Sequence, residues 1–477
     1  MPSVKKLCVL ALLVMFSVEW PLAAERPAAK NVILMIADGA GFNTFVAASF
    51  YQHGELGKQV YDGFPTKYGC STTMLESNGT PEEYDPWAFW SDFGWARRHG
   101  QTNSAAAATA LYTGRKVKGS AISMESPGRR LVTIGEIAKG HGKSVGDVTS
   151  VQFSDATPGA LAAHSISRVN RAEIASEMIN GDTLDVIMGC GNPEYDGDGN
   201  ERREVAPKDY LRIGGEETWK AVKAGTAGGK NPWTLIQSKA DFEKLAENPA
   251  PPRRVIGFPQ VVGTLQNDRS GDPNADPFTV PFVPNVPTLA TMTKGAINVL
   301  SRNPNGFFLL VEGGAVDWAN HSNHASRMIE EQIDFTNAME AVVEWVDAHS
   351  NWDETLLIVT ADHETGYLWG PDSGASADML HFPWDPVQNN GKGKMPSCRY
   401  YSTSHTGSLV PLFAKGRGAE LFDGLVKGTD PMRGPYVDNT DVFKVMNAAM
   451  GTGVLETRSA GGCSRPTERR AALSTAR

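Results

Sequence analysis

Four apolar runs in this chain end in a carboxylate, and each is too short to be a globular helix. They read VILMIAD to Asp38, SVGDVTSVQF leading to Ser154 and Asp155, GFFLLVE to Glu312, and TLLIVTAD to Asp362. Runs of this length, bounded by turn residues, are the pattern of strands buried on both faces. Helical periodicity occupies Leu131 to Lys139, Leu289 to Ser301 and Met328 to Ala348. The alternation predicts an α/β fold, with a large, mostly parallel central sheet flanked by helices on both faces and interrupted by irregular insertions. In such sheets ligands bind beyond the C-terminal strand ends, where all four acids stand.

One acid after a strand ordinarily just starts a helix. Four acids, with His321, His363 and His405 close by, cannot share an edge without mutual repulsion unless cations lie between them. Imidazole with carboxylate suits zinc, whereas an oxygen set with a hydroxyl and waters suits magnesium. Asp317 and His321 are four apart, a spacing that puts both on one helix face. The formal charge is −9, which argues against a nucleic-acid partner, so an anionic substrate needs a local positive centre.

The stretch TNSAAAATALYTG, Thr102 to Gly114, opens a polar tripeptide into an alanine-rich helix beginning at Ser104. A hydroxyl there lies near unpaired N–H groups and the positive end of the helix dipole, so an anion such as phosphate would meet donors pointing outward. By itself this is more often an ordinary cap than a nucleophile. Ser154 to Pro158 places further oxygens after a strand, and a helix is predicted from Pro158 through His164 to Arg168.

Met1 to Ala24 carries Lys5 and Lys6, an apolar run from Leu7 to Val18, and small residues after it. This is the pattern of a signal peptide, giving an exported chain, periplasmic or extracellular, with no membrane span after cleavage. Removal of Cys8 leaves Cys70, Cys190, Cys398 and Cys463, enough for two disulfides in any of three pairings. Residues 25–455 read as one catalytic domain with insertions at about 189–287 and 367–401, and 456–477 as a basic tail. Tyr51 to Gly100 reads as irregular and aromatic. Asp196 to Asn200 resembles the start of a calcium loop, but Pro207 stands where the twelfth-position acid is required, which favours a polar turn.

Six of these segments together resemble the alkaline phosphatase family. They are Asp38-Gly39, Asn103-Ser104-Ala105, SDATPGALAAHSISR ending at Arg168, VEGGAVDWANH from Val311 to His321, TADH from Thr360 to His363, and SHTG around His405. The match runs in order from about Asn31 to Gly451. The resemblance implies hydrolysis of small phosphate monoesters to an alcohol and inorganic phosphate, through a phosphoserine at Ser104. It implies one zinc held by Asp317, His321 and His405, a second by Asp38, Asp362 and His363, and a magnesium facing Asp38, Asp155, Thr157 and Glu312. Arg168 would grip two phosphate oxygens, and the chain would form a homodimer. Two positions beside the phosphate depart from the commonest pattern. Asn103 replaces an aspartate that usually orients the arginine, and Trp318 stands where Lys or His is frequent. A phosphodiesterase or sulfatase relative should lack the third metal set and the arginine; an exported, non-catalytic metal or phosphate binder should lack a ligand or the nucleophile. All are present.

Overall fold

A computed structural model describes residues 28–125, 128–374 and 383–453. The segments read as a signal peptide and a basic tail, with Cys463, fall outside the described residues. Eleven strands form the main sheet: Asn31–Ile36 (β1), Thr66–Ser71 (β2), Ser144–Gln152 (β3), Val186–Cys190 (β4), Thr234–Ile236 (β5), Val255–Gly257 (β6), Phe307–Glu312 (β7), Thr355–Thr360 (β8), Val410–Gly416 (β9), Gly428–Asp430 (β10) and Gly434–Asp438 (β11). Their order is β10-β11-β2-β9-β8-β1-β7-β3-β4-β6-β5. From β8 to β5 the strands are parallel, while β9 and β10 run against their neighbours.

Every residue of β1, β7 and β8 is buried. Strands without an exposed side chain need cover on both faces, which is why their sequences do not alternate. The cover includes the helices Phe42–His53 (α1), Ser104–Thr113 (α2), Arg171–Asn180 (α3), Leu289–Leu300 (α4), Ala325–His349 (α5) and Asn439–Ala449 (α6). A seven-residue helix, Ala315–His321, follows β7 directly.

Within the stretch 189–287, β6 and β5 continue the main sheet beyond β4. The apolar run Arg254 to Phe258 contains β6, whereas β5 is a three-residue run that does not stand out in a Gly- and Pro-rich sequence. They are anchored by buried Trp233 and Phe242, and by Arg254, whose guanidinium lies over Trp233 and donates to the carbonyls of Leu184, Asn231 and Gly181. Likewise Tyr51 to Gly100 contains β2. Its aromatic part packs Tyr84, Phe89 and Trp95 against Tyr367, Trp369 and Trp384 in a second core. Asp196 proves to be a closed polar turn, its Oδ1 accepting from the N–H groups of Asp198 and Asn200, both at 2.9 Å.

The expected pair of disulfides is not seen among the described residues. Cys70 and Cys190 are fully buried, Cys398 is half-buried, and all three are unpaired. Any two-bridge pairing of the four cysteines would join two of these three. Cys70 on β2 and Cys190 on β4 have β9, β8, β1, β7 and β3 between them, roughly 29 Å at the usual strand spacing, far beyond disulfide reach. Both thiols serve as small apolar side chains. Among the described residues no helix is long and apolar enough to cross a membrane.

Candidate active site

The acids at the ends of β1, β7 and β8 are delivered by three adjacent strands in register, with Ile36 beside both Glu312 and Thr360. Asp38 and Asp362 each lie two residues past their strand, and both are buried. Gly39 makes their approach to Asp317 possible. It sits at φ +71°, and a Cβ there would stand 2.7 Å from Asp317 Oδ1. Its N–H donates to Asp362 Oδ1 at 3.2 Å, and its carbonyl accepts from Asn320 Nδ2 at 3.1 Å. His405 is brought in by a short antiparallel pairing of Glu364–Thr365 with His405–Thr406.

The three imidazoles share one orientation. His321 Nδ1 faces the Thr403 carbonyl at 2.6 Å and His405 Nδ1 faces that of Thr102 at 2.8 Å. His363 Nδ1 lies 3.2 Å from Thr365 Oγ1, whose own proton goes to Asp317 Oδ1 at 2.6 Å. These partners assign the proton to Nδ1 in every ring and leave each Nε2 with a bare lone pair. Yet the Nε2 atoms of His321 and His405 face each other at 3.0 Å. Asp38 Oδ1 and Asp362 Oδ2 are buried with no hydrogen bond, although His363 Nε2 lies 3.6 Å and 3.1 Å from them. Acceptors crowded on acceptors fit a cation at their centre, and imidazole donating its other N–H outward is the usual arrangement around zinc. Ligand atoms of Asp38, Asp362 and His363 lie within 4.8 Å of one another, as do those of Asp317, His363 and His405. His321 Nε2 is 3.4 Å from Asp317 Oδ2, so it joins the second group.

Asp38 Oδ2 turns the other way and accepts from Thr157 Oγ1 at 3.3 Å. Thr157, Asp155 and Glu312 line the same small cavity as Asp38, Ser104, Arg168, Asp317 and Trp318. This oxygen-rich set could hold magnesium. A larger cavity lies at the opposite strand ends, beside Lys30, Asn31 and Glu354, and contains none of these residues.

Ser104 is the first residue of α2, with its Oγ 3.2 Å from His363 Nε2. The cap is Asn103, whose Oδ1 accepts from the N–H groups of Ala105 and Ala106 at 3.0 and 3.2 Å. These donors are therefore turned inward rather than left open to an anion. Asn103→Ala should lower stability by about 1 kcal/mol through loss of the cap, while Asn103→Asp, which keeps the acceptor, should not. Equilibrium denaturation of both variants checks this.

Arg168 is not on a helix continuing from Pro158. That helix is the single turn Ala156–Gly159. Ser165 then pairs with Ile122 through both backbone bonds, and its hydroxyl donates to the Ser167 carbonyl, which ends any helical course. Arg168 emerges from the following loop, its N–H bonded to Ser120 O, and its Nη2 meets Asp155 Oδ1 at 3.0 Å. The guanidinium thus takes its acid from position 155, since the Asn103 oxygen is occupied by the helix.

The electrostatics carry the mark of crowded acids. Burial, then Asp362, Asp317 and Glu312, push the Asp38 carboxyl well above the usual range. Burial and then Asp317 raise Asp362 to about 7. Burial raises Glu312 well above its ordinary value despite the hydrogen bond from Thr149. Burial, then His405 and His321, hold His363 well below its ordinary value. Asp155 is the exception: burial pushes it up, but Arg168 and Arg171 together bring it below the normal carboxylate range. Thr149, Thr365 and Arg171, which hold Glu312, Asp317 and Asp155, were not evident from sequence. Thr365 has a signal in its place three residues after Asp362, and Arg171 in its place three after Arg168.

A family model described as alkaline phosphatase matches residues 29–401. The chain is 30% identical over 456 residues to the alkaline phosphatase of Escherichia coli strain K12, covering 90% of this chain and 87% of that one. It is 28% identical over 463 residues to the streptomycin-6-phosphate phosphatase of Streptomyces griseus, covering 90% and 93%. A cold-active alkaline phosphatase from the psychrophile Shewanella sp. has a similar structure, with a TM-score of 0.60 at 26% identity, covering 88% of this chain and 99% of that one. The alkaline phosphatase of the Antarctic bacterium TAB5 shares the fold, with a TM-score of 0.60 at 24% identity, covering 90% and 100%.

Proposed function

Because the chain belongs to the alkaline phosphatase family, whose members are metal-dependent phosphatases, we propose that it hydrolyses small phosphate monoesters to an alcohol and inorganic phosphate, with Ser104 as nucleophile. The observation that carries the reading is the convergence of Ser104 Oγ with bare His363 Nε2, Asp38 Oδ1 and Asp362 Oδ2. The relative named for streptomycin 6-phosphate supports a small-molecule monoester.

In this reading Asp317, His321 and His405 hold one zinc, Asp38, Asp362 and His363 a second, and Asp38, Asp155, Thr157 and Glu312 a magnesium. When bound, such ions supply positive charge that offsets the phosphate dianion and lowers the pKa of water. The chain's part is placement. Asn103 fixes the first turn of α2 so that Ser104 Oγ is presented to the cavity, and the alanines that follow let that helix sit fully buried beneath it. Arg168 offers two parallel N–H groups to two phosphate oxygens, a match that its planar fork provides and a lysine would not. Trp318 walls the cavity and limits water around the phosphoryl group. Ser104 forms an O–P bond as the alcohol oxygen leaves, and water then cleaves that bond, releasing phosphate and restoring the hydroxyl.

The test has three readings on purified protein. A phosphate monoester should be hydrolysed far faster than the matching diester or sulfate ester, labelled phosphate trapped at acid pH should mark Ser104, and elemental analysis should give about two zinc and one magnesium per chain. A preference for diesters, a label on another residue, or a single metal equivalent overturns the corresponding part.

A further inference from the structure

Arg171 is the first residue of α3, where a cation faces the positive end of the helix dipole, so the helix itself does not account for it. Its guanidinium reaches back toward the site, with Nη1 3.4 Å from Asp155 Oδ2 and 3.5 Å from Gln152 Oε1. Arg168 Nη2 holds the other oxygen, Oδ1, at 3.0 Å, and the Ala156 N–H donates to the same oxygen at 2.8 Å. The buried Asp155 carboxylate is thus stretched between two guanidinium groups, one on each oxygen. Among the described residues Asp155 is the one acid paired with Arg168. With Oδ1 shared between Arg168 and the Ala156 N–H, the contact on Oδ2 sets the remaining rotation of the carboxylate and so the direction from which Oδ1 meets Arg168. Arg171 does not line the cavity that holds Ser104 and Arg168.

We infer that Arg171 is a positioning residue for the phosphate clamp: by holding Oδ2 of Asp155 it fixes the carboxylate that aims the Arg168 guanidinium. The inference rests on the role proposed above for Arg168. Its effect is felt in phosphate affinity, because a guanidinium that must be ordered on binding binds more weakly than one already aimed.

The experiment uses Arg171→Met, Arg171→Lys, Arg168→Ala and the Arg168→Ala/Arg171→Met double variant of the metal-loaded protein. Inorganic phosphate is titrated calorimetrically, and KM and kcat are measured on p-nitrophenyl phosphate. Arg171→Met should weaken phosphate binding and raise KM by about three- to tenfold, the size expected of a charge-assisted contact that is partly exposed. Its kcat should change less than its KM. Arg171→Lys, which keeps the charge but not the fork, should recover part of the loss. In the Arg168→Ala background Arg171→Met should have no further effect, and zinc and magnesium content should stay at the wild-type level. An unchanged phosphate affinity in Arg171→Met, or the same loss with and without Arg168, overturns the inference. If Arg168→Ala itself binds phosphate as tightly as the wild type, the clamp reading falls, and the inference with it.

Discussion

Ser104→Ala is expected to lower monoester turnover by roughly four orders of magnitude or more, the scale seen when a covalent nucleophile is removed, and to leave the fold unchanged. The second half of that expectation comes from the position. The cap of α2 is Asn103, so removing the Ser104 hydroxyl takes no cap away, and alanine is a strong helix former that the first turn accepts. The hydroxyl's one partner in the site is His363 Nε2; the six carboxylate and imidazole side chains proposed to hold zinc are untouched. With the Asn103 cap and the proposed ligands intact, zinc content by elemental analysis and the thermal midpoint should stay near wild type, while turnover and acid-trapped phosphoserine disappear together. A loss of less than tenfold in turnover would mean that the nucleophile is elsewhere.

Metal removal is expected to have the second large effect, with a definite dependence on pH. Burial and then Asp317 push the Asp362 carboxyl up to about 7 in the metal-free fold; Asp38 and Glu312 are shifted the same way, chiefly by burial. A carboxyl raised on folding keeps its proton in the folded chain over a range in which the unfolded chain has lost it. The metal-free fold is thus favoured at low pH and loses this stability as pH rises from about 4 through about 7. Cations remove the penalty, since they bind the deprotonated form and displace the proton. Chelated protein should be inactive, and the gain in melting temperature on adding zinc should be small at pH 5 and large at pH 8. Free ion at about 100 times its Kd adds about 2.7 kcal/mol per site, enough to read by calorimetry. An equal gain at both pH values would show that the raised acids are not the ones the metal binds.

Much of this site is legible in sequence because its chemistry stands at the ends of the most legible elements. The buried strands β1, β7 and β8 are unbroken apolar runs, and the acids that follow them are conspicuous for that reason. What could not be read falls into two physical classes. Strands β5, β10 and β11 are three to five residues long, too short for a local period to mark them. Helix α6 is readable in retrospect, from the capping box of Asp438 and Asp441 and the spacing of Val442, Val445, Met446 and Ala449. The other class is side-chain direction. Asn103 and Arg168 sit at motif positions that predict a partnership, but the sequence cannot say that the Asn103 oxygen turns to the helix and that Asp155 takes Arg168 in its place. Nor can helical periodicity register that Ser165 finds a backbone partner at Ile122, forty-odd residues away by chain position.

Strand β1 is one of the first described segments of the chain, yet its two neighbours are built from residues 307–312 and 355–360, and His405 arrives later still. During synthesis, Asp38 has neither a sheet to stand on nor its fellow ligands until nearly the whole polypeptide has emerged. An unfinished or still unfolded chain therefore offers scattered acids and imidazoles but no complete site, since closing these long loops has to come first. A site whose ligands come from both ends of the chain can gather its cations only once those ends have met.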